Sequence, residues 1–266
     1  YSLGPSPEYL KENTDYYSYD GNYFYTSLYD LIDDYRNSSH EKAVNKDNVY
    51  YNYYQYLPQR TKTNITSAEL DAYLRVEGKT ISNSKLYGQG HYFITSQNIY
   101  GINALISYGI SINESAKGSS NIAFNKNNVF GHGAYDYDPS GSSSAYSSVM
   151  YSIYYHADVY MSRGYAYTGD WRYFASYLGN KKAGVNVKYA SDPYWGEKAT
   201  AYYYIIDKKF GLKDYNYYTI GIKSTNNGVN VRTEPSMSSK VVYTIPANKY
   251  PSFVIVDEVQ GDEFQG

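Results

Sequence analysis

The sequence predicts a mainly helical body followed by a short β tail. Three observations carry that expectation. Apolar residues recur at helical steps in several stretches of the first 212 residues, although residues 1–64 show little clear periodicity. Cap and stop signals bracket those stretches. From about Tyr217 the pattern changes to short β-branched runs separated by turn residues, which reads as strands. The chain has 266 residues and 42% hydrophobic content, enough for a substantial core.

The elements follow in order. "FYTSLYDLIDDYR" fits one helix, and "NVYYNYYQYLP" reads as an extended segment ending at Pro58. Thr66 and Glu69 have capping-box spacing ahead of "LDAYLR", a helix expected to run to about Arg75 and end near Gly78. In "SQNIYGINALISYGISINES", Ile99, Ile102, Ile106 and Ile110 recur at steps of three and four. Glu114 continues that stripe, and Gly118 is the expected stop. Ser119 or Ser120 can cap a short helix through Phe124, and Asn127, Asn128 and Gly131 mark a turn. "AYSSVMYSIYYHADVYM" gives a helix with Val149, Ile153, Ala157 and Met161 on one face. After a loop through Asp192 and Pro193, a last helix ends on Lys208, Lys209 and Gly211. The expected organisation is an N-terminal extension over 1–80, a central domain over 81–214 and a β segment over 215–266.

Composition narrows the function. Twenty-four basic residues against 26 acidic ones leave a net charge of −2, so nothing favours nucleic acid or an anionic membrane. The absence of cysteine excludes disulfides and thiolate metal sites. No segment is apolar enough to span a bilayer. The opening "YSLGPSPEYL" has neither a basic nor an apolar leader region, so the expectation is a soluble chain without its signal peptide. Forty tyrosines stand against eight phenylalanines. Tyrosine suits sugar contacts, yet for most of these a plain packing role is expected.

Glu114 is the first candidate for chemistry. An ionised carboxylate on an apolar stripe is costly unless paired, and desolvation raises its pKa. A carboxyl that stays protonated near neutral pH can serve as a general acid, and glycosidic cleavage needs one for its leaving oxygen. The alternative is a glutamate reaching solvent from a fraying last turn.

"NESAKGSSNIAFNKNNVFG" resembles the signature of glycoside hydrolase family 73, an acidic residue followed by Ser/Thr, Gly, Ser, a short helix and Asn-Asn-x-Phe/Tyr-Gly. "YGINALI" and "YASDPYWGEK" look like the same family's flanking motifs. The resemblance covers about 84–210. It implies a lysozyme-like (α+β), mainly α catalytic domain with a small β-hairpin. It also implies a secreted, wall-associated bacterial autolysin, cutting peptidoglycan glycan strands after N-acetylglucosamine. On this resemblance Glu114 takes the general-acid role. Asp136 and Asp138 in "YDYDPSG" are candidates for a second carboxylate, with a solvated turn as the alternative. Tyr189, and after it Tyr194, maps to a tyrosine of importance, which would hold water or the reacting sugar. The substrate's own 2-acetamido group is a further candidate nucleophile. Asn128, Phe130, His132, Tyr135, Tyr194 and Trp195 are candidates for substrate binding, and the small-residue run from Ser115 to Ser120 for room beside the sugar.

No cofactor or metal is expected. "DYDPSG" copies half of a calcium loop, but its twelfth position is Ser147 where a bidentate glutamate is needed. His40, His91, His132 and His156 show no ligand spacing. "GVNVRTEPSMSSKVVYTI" resembles the bacterial SH3-like domain of wall hydrolases, so the tail is expected to be a short all-β, SH3-like segment. It looks incomplete because the usual Trp-containing strand is missing before Gly266. The partner is peptidoglycan, without nucleic acid or membrane insertion, and the protein is expected to be a monomer. The competing readings are a non-catalytic wall-binding protein and a lytic transglycosylase or muramidase on the same fold.

Overall fold

The computed structural model describes residues 2–133 and 143–259. Its described part is mainly helical, with strands only near the C-terminal end. Helix α1 spans Leu28–Asn37, with the Ser27 side chain accepting from the Asp30 amide. The run expected to be extended contains one helical turn, α2 (Tyr53–Tyr56), because the Asn52 side chain accepts the Gln55 N–H and caps it. Helix α3 (Ser67–Val76) carries the expected capping box, with Thr66 and Glu69 each accepting the other's backbone N–H.

The central helix expected from the isoleucine stripe is two helices, α4 (Gly90–Tyr100) and α5 (Ala104–Glu114). Gly101 adopts a left-handed conformation (φ 67°) and ends α4. Asn103 then accepts from the Leu105 and Ile106 amides and starts α5. The stripe is cut accordingly: Ile99 is 59% exposed, whereas Ile102, Ile106 and Ile110 are buried. Every residue of α5 from Ala104 to Ile112 is buried, so α5 is a core helix rather than an amphipathic one.

Helix α6 (Asn121–Lys126) is capped by Ser120. Helix α7 (Val149–Tyr155) runs into a π-helical stretch, His156–Tyr165. Val149, Ile153, Ala157 and Met161 are all buried along it, as the sequence pattern predicts. A 3₁₀ turn at Val185–Val187 precedes α8 (Trp195–Lys209). In the tail, β1 (Thr219–Ile222) pairs antiparallel with β4 (Ser252–Ile255). Strand β2 (Val229–Arg232) pairs with β3 (Val241–Ile245), with an irregularity between Val231 and Arg232. The tail touches the helical body: the Tyr177 hydroxyl donates to the Tyr250 carbonyl (2.9 Å) and Lys249 donates to the Tyr173 carbonyl (2.6 Å).

Much of the tyrosine excess belongs to the core. Tyr54, Tyr108 and Tyr203 are fully buried. Their hydroxyls donate to Asp207 (2.7 Å), the Leu70 carbonyl (2.9 Å) and the Tyr54 carbonyl (2.7 Å) respectively. A buried hydroxyl without a partner would be costly, so each of these rings is fixed in register as well as packed.

Helices α5 and α8 pack at close range through Gly109. A Cβ there would lie 2.9 Å from Tyr203 Cδ1 and 3.2 Å from the Ala199 carbonyl oxygen. Tyr203 is fully buried and cannot swing aside. Gly109→Ala gains up to about 1 kcal/mol in helix propensity but overpacks a tight contact at about 1–3 kcal/mol. The expected result is a net loss of about 1 kcal/mol, a melting temperature lower by a few degrees in a thermal scan. An unchanged or raised melting temperature would show that the two helices can separate freely.

Candidate active site

Glu114 is the last residue of α5 and is half-buried. One carboxyl oxygen, Oε1, accepts the indole N–H of Trp195, at the start of α8. The other, Oε2, faces Gly131, where an added Cβ would lie 3.5 Å away. Burial pushes the Glu114 carboxyl up from its ordinary pKa, and the negative charge of Asp192 adds to the rise. The hydrogen bonds from Trp195 and Asn113 oppose it. The group is thus inclined to hold its proton while sitting at the surface of the core.

Tyr189 joins this pair. Its ring stacks on Trp195 with centroids 4.4 Å apart and packs edge-on against His156. Burial drives its phenol well above the usual tyrosine value, and the nearby Glu114 adds to this, so it remains an O–H donor at any working pH. The loop carrying Tyr189 is tied down locally. The Asn186 side chain donates to the Asp192 and Pro193 carbonyls (3.2 and 3.0 Å), and Lys181 donates to the Asn186 and Ala190 carbonyls. Asp192 accepts the Tyr194 amide (2.9 Å) and pairs with Lys198 (2.5 Å), which holds its carboxyl below the ordinary range.

Beneath Glu114 lies an aromatic layer. Phe130 stacks on His156 at 3.7 Å, and His132 stacks on Tyr160 at 4.1 Å. His132 Nε2 and His156 Nδ1 are hydrogen-bonded at 3.0 Å, and His132 Nδ1 lies 2.7 Å from the Tyr146 hydroxyl. Asn128 closes the turn around Gly131. Its side chain donates to the His132 and Ser144 carbonyls and accepts from the Phe130 and His132 amides.

The structure therefore brings Glu114, Tyr189 and Trp195 together and places Asn128, Phe130, His132 and Trp195 under the surface, each no more than 3% exposed. A buried ring offers no face to a sugar, so the aromatic walls expected at Phe130 and Trp195 are internal supports. Tyr194 is 65% exposed and lines a separate cleft of about 850 Å³ with Tyr56, Tyr177, Glu197 and Tyr250, which Glu114 does not border. Tyr135, Asp136 and Asp138, and the hairpin expected to carry the two aspartates, lie outside the described residues. The run Ser115–Ser120 is tied to the chain beside it. It is bonded to the segment before α4, through Ser84 Oγ to the Lys117 carbonyl (2.7 Å), Lys85 N to the Gly118 carbonyl (2.9 Å) and Ser119 Oγ to the Asn83 carbonyl (2.7 Å). A Cβ on Gly118 would lie 2.6 Å from Ser84 Oγ, so the glycine makes room for the chain itself. Among the described residues no three His, Cys, Asp or Glu side chains gather as a metal site.

Sequence reasoning missed His156, Tyr160 and the hydrogen bond from Trp195. The motif "YASDPYWGEK" contains the tryptophan, but nothing in it says that the indole turns inward. The π-helical stretch that presents His156 and Tyr160 has no signal in the apolar pattern.

Residues 90–208 match the model of a family described as mannosyl-glycoprotein endo-beta-N-acetylglucosaminidase. The match covers somewhat less than half of the chain. Two relatives, from two strains of Streptococcus pneumoniae, bear a provisional endo-beta-N-acetylglucosaminidase name. Each is 40% identical over 152 residues, which is 57% of this chain and 22% or 20% of the relative. The chain thus spans about a fifth of the length of these curated relatives. Among solved structures, S. aureus autolysin E is similar with a TM-score of 0.47 and 22% identity, covering 60% of this chain and 73% of that one. A catalytic mutant of autolysin E in complex with the disaccharide NAG-NAM gives 0.46 and 21%, covering 59% and 73%. No helix among the described residues is long and apolar enough to cross a membrane.

The buried histidines set a pH limit on the fold. Burial lowers His132 to about 3, and lowers His156 well below its usual value with the His132 charge adding to it. The folded state accepts both rings only as neutral groups. Unfolded, each binds a proton below about 6.5, so stability is full above that pH and falls as pH drops toward 3. Each excluded proton costs about 1.4 kcal/mol per pH unit. Urea unfolding between pH 7 and 4 should show the stability advantage of the wild type over His132→Gln shrinking at about that rate below pH 6.5. Parallel curves would remove His132 from the acid sensitivity.

Proposed function

We propose that the protein is a peptidoglycan hydrolase that cuts the β-1,4 bond after N-acetylglucosamine, with Glu114 as general acid. The observation that carries this reading is a half-buried carboxyl, raised in pKa by burial, at the end of α5 within the segment that matches the glucosaminidase family. In this mechanism Glu114 donates its proton to the glycosidic oxygen as the C1–O bond breaks, and the leaving sugar departs neutral. The positive charge at C1 is met by water or by the carbonyl of the substrate's own 2-acetamido group, and water completes hydrolysis. Tyr189, a phenol fixed beside Glu114, orients that water or the acetamide. Asp136 and Asp138 are the other candidates for this task. The substrate is a glycan strand outside the membrane, the protein acts as a secreted, wall-associated monomer, and the tail over 215–266 is an SH3-like accessory unit.

The test is digestion of purified peptidoglycan followed by borohydride reduction and acid hydrolysis. Glucosaminitol is the expected new end. Muramitol would mean a muramidase, and 1,6-anhydro products a lytic transglycosylase. Glu114→Gln, which keeps shape and removes the acid proton, should lower turnover by roughly 10²–10⁴-fold with unchanged thermal unfolding. Turnover within tenfold of wild type would exclude Glu114 as the acid. The second group is assigned by comparison. Tyr189→Phe should cost more in kcat than Asp136→Asn or Asp138→Asn, and an aspartate loss as deep as that of Glu114→Gln would point to two carboxylates.

A further inference from the structure

We propose that Trp195 is a positioning residue for Glu114: its indole N–H fixes Oε1 as the accepting oxygen and so assigns the transferable proton to Oε2, the oxygen facing Gly131. The inference rests on the general-acid reading of Glu114 and adds which oxygen acts and what holds it.

The geometry supports this on three counts. Trp195 is 3% exposed and donates its N–H to Glu114 Oε1. A neutral carboxyl has one carbonyl-type oxygen, the better acceptor, and one hydroxyl oxygen, the donor. Of the two donors to this carboxyl, Trp195 and Asn113, the indole has the larger effect, and its N–H aimed at Oε1 places the carbonyl character on Oε1 and the O–H on Oε2. Next, Oε2 faces Gly131, a position of the turn that carries no side chain, and an added Cβ there would already stand 3.5 Å from it. The approach to the donor oxygen is kept clear there, while the rest of the turn is filled by Phe130 and His132. Finally, the indole is held by its neighbour and by its helix. Tyr189 stacks on its face, and α8 is locked against α5 by the close contact at Gly109. The carboxyl thus meets a rigid donor rather than a mobile one.

The indole also bears on the proton's affinity. An N–H directed at the carboxyl favours its ionised form and opposes the rise caused by burial. Removing it should raise the pKa of Glu114. A general acid must be protonated to act, so the basic limb of the pH–rate profile should move to higher pH. Trp195 does not touch the substrate, so binding should be little affected.

Two variants test this. Trp195→Phe removes the N–H and part of the ring. Incorporation of β-(3-benzothienyl)alanine at position 195, in a Trp171→Phe background, removes the N–H while keeping ring area and the stack on Tyr189. Turnover of soluble wall fragments is measured from pH 4 to 9, with KM and thermal unfolding alongside. Both variants should shift the basic limb up by about one pH unit and lower kcat at the optimum about tenfold through loss of orientation, with KM within twofold. A benzothienyl variant with an unmoved basic limb would overturn the proposal, whatever its kcat, because loss of packing alone lowers rate without moving that limb. Glu114→Gln measured in parallel separates the two readings. Retained activity there sinks the general-acid assignment and this inference with it. An inactive Glu114→Gln beside an unmoved profile sinks only the role of Trp195.

Discussion

The close packing of α5 on α8 is the constraint on which the rest of the structure depends. Glu114 ends one helix and Trp195 begins the other, and their hydrogen bond exists only because the helices meet in one register. Gly109 sets the separation, since any side chain there would strike Tyr203 and the Ala199 carbonyl. From Gly109, five residues along α5 reach Glu114, and from Ala199, the nearer end of the contact on α8, four residues back reach Trp195. At 1.5 Å per residue, both lie within about 8 Å of the contact along their axes. An error in helix packing reaches the carboxyl almost undiminished. Asn103 fixes the other end of α5: its amide group donates to Thr61 Oγ1 (3.0 Å) and its carbonyl caps the helix. The catalytic candidate is therefore held at the end of a rod clamped at its middle and its start.

The site's electrostatics follow from the same burial. Desolvation raises Glu114 and Tyr189 and lowers His132 and His156, so each group is pushed toward its neutral form. The outcome is a patch with hydrogen-bond donors and acceptors and little formal charge. Charge that develops at a reacting glycosidic bond would be poorly screened there, which strengthens its interaction with any aligned dipole. The histidines belong to this pattern. Burial holds both rings neutral, and their mutual hydrogen bond and their stacking on Phe130 and Tyr160 fix them in place, so they act as a rigid floor rather than as proton donors.

What could be read from the sequence divides by range. Local signals held: the Thr66–Glu69 capping box, the Ser120 cap, the buried face of Val149, Ile153, Ala157 and Met161, and the switch to strands near residue 219. The stripe from Ile99 to Ile110 misled because its spacing fits a continuous helix, while Gly101 and Asn103 carry the stronger backbone instruction to stop and restart. The small residues after Glu114 suggested room for a ligand. Small side chains also permit chain-to-chain contact, and Gly118 serves that end against Ser84 and Leu86. The inward turn of Trp195 was not legible, because an indole beside a proline loop reads as a surface ring until the packing of α8 is known. The left-handed residues Ala116 and Lys117 were equally silent, since they are fixed by the ion pair of Lys117 with Glu77 and by backbone bonds rather than by residue type.

The surroundings of Glu114 also bear on the second half of the proposed reaction. The carboxylate named beside it among the described residues is Asp192, and its charge helps raise the Glu114 pKa. Asp192 is not a free nucleophile or base. Lys198 and the Tyr194 amide occupy its oxygens, and the ion pair keeps it ionised and oriented toward the start of α8. Its chemical effect on Glu114 is that of a fixed negative charge, which favours the protonated acid. On the proposed reading, attack at C1 then falls to a group that brings no buried charge of its own: the substrate's acetamide, or a water held by the Tyr189 phenol. Either choice suits the neutral character of the patch, because a second ionised carboxylate placed beside Glu114 would raise its pKa further and carry a desolvation cost.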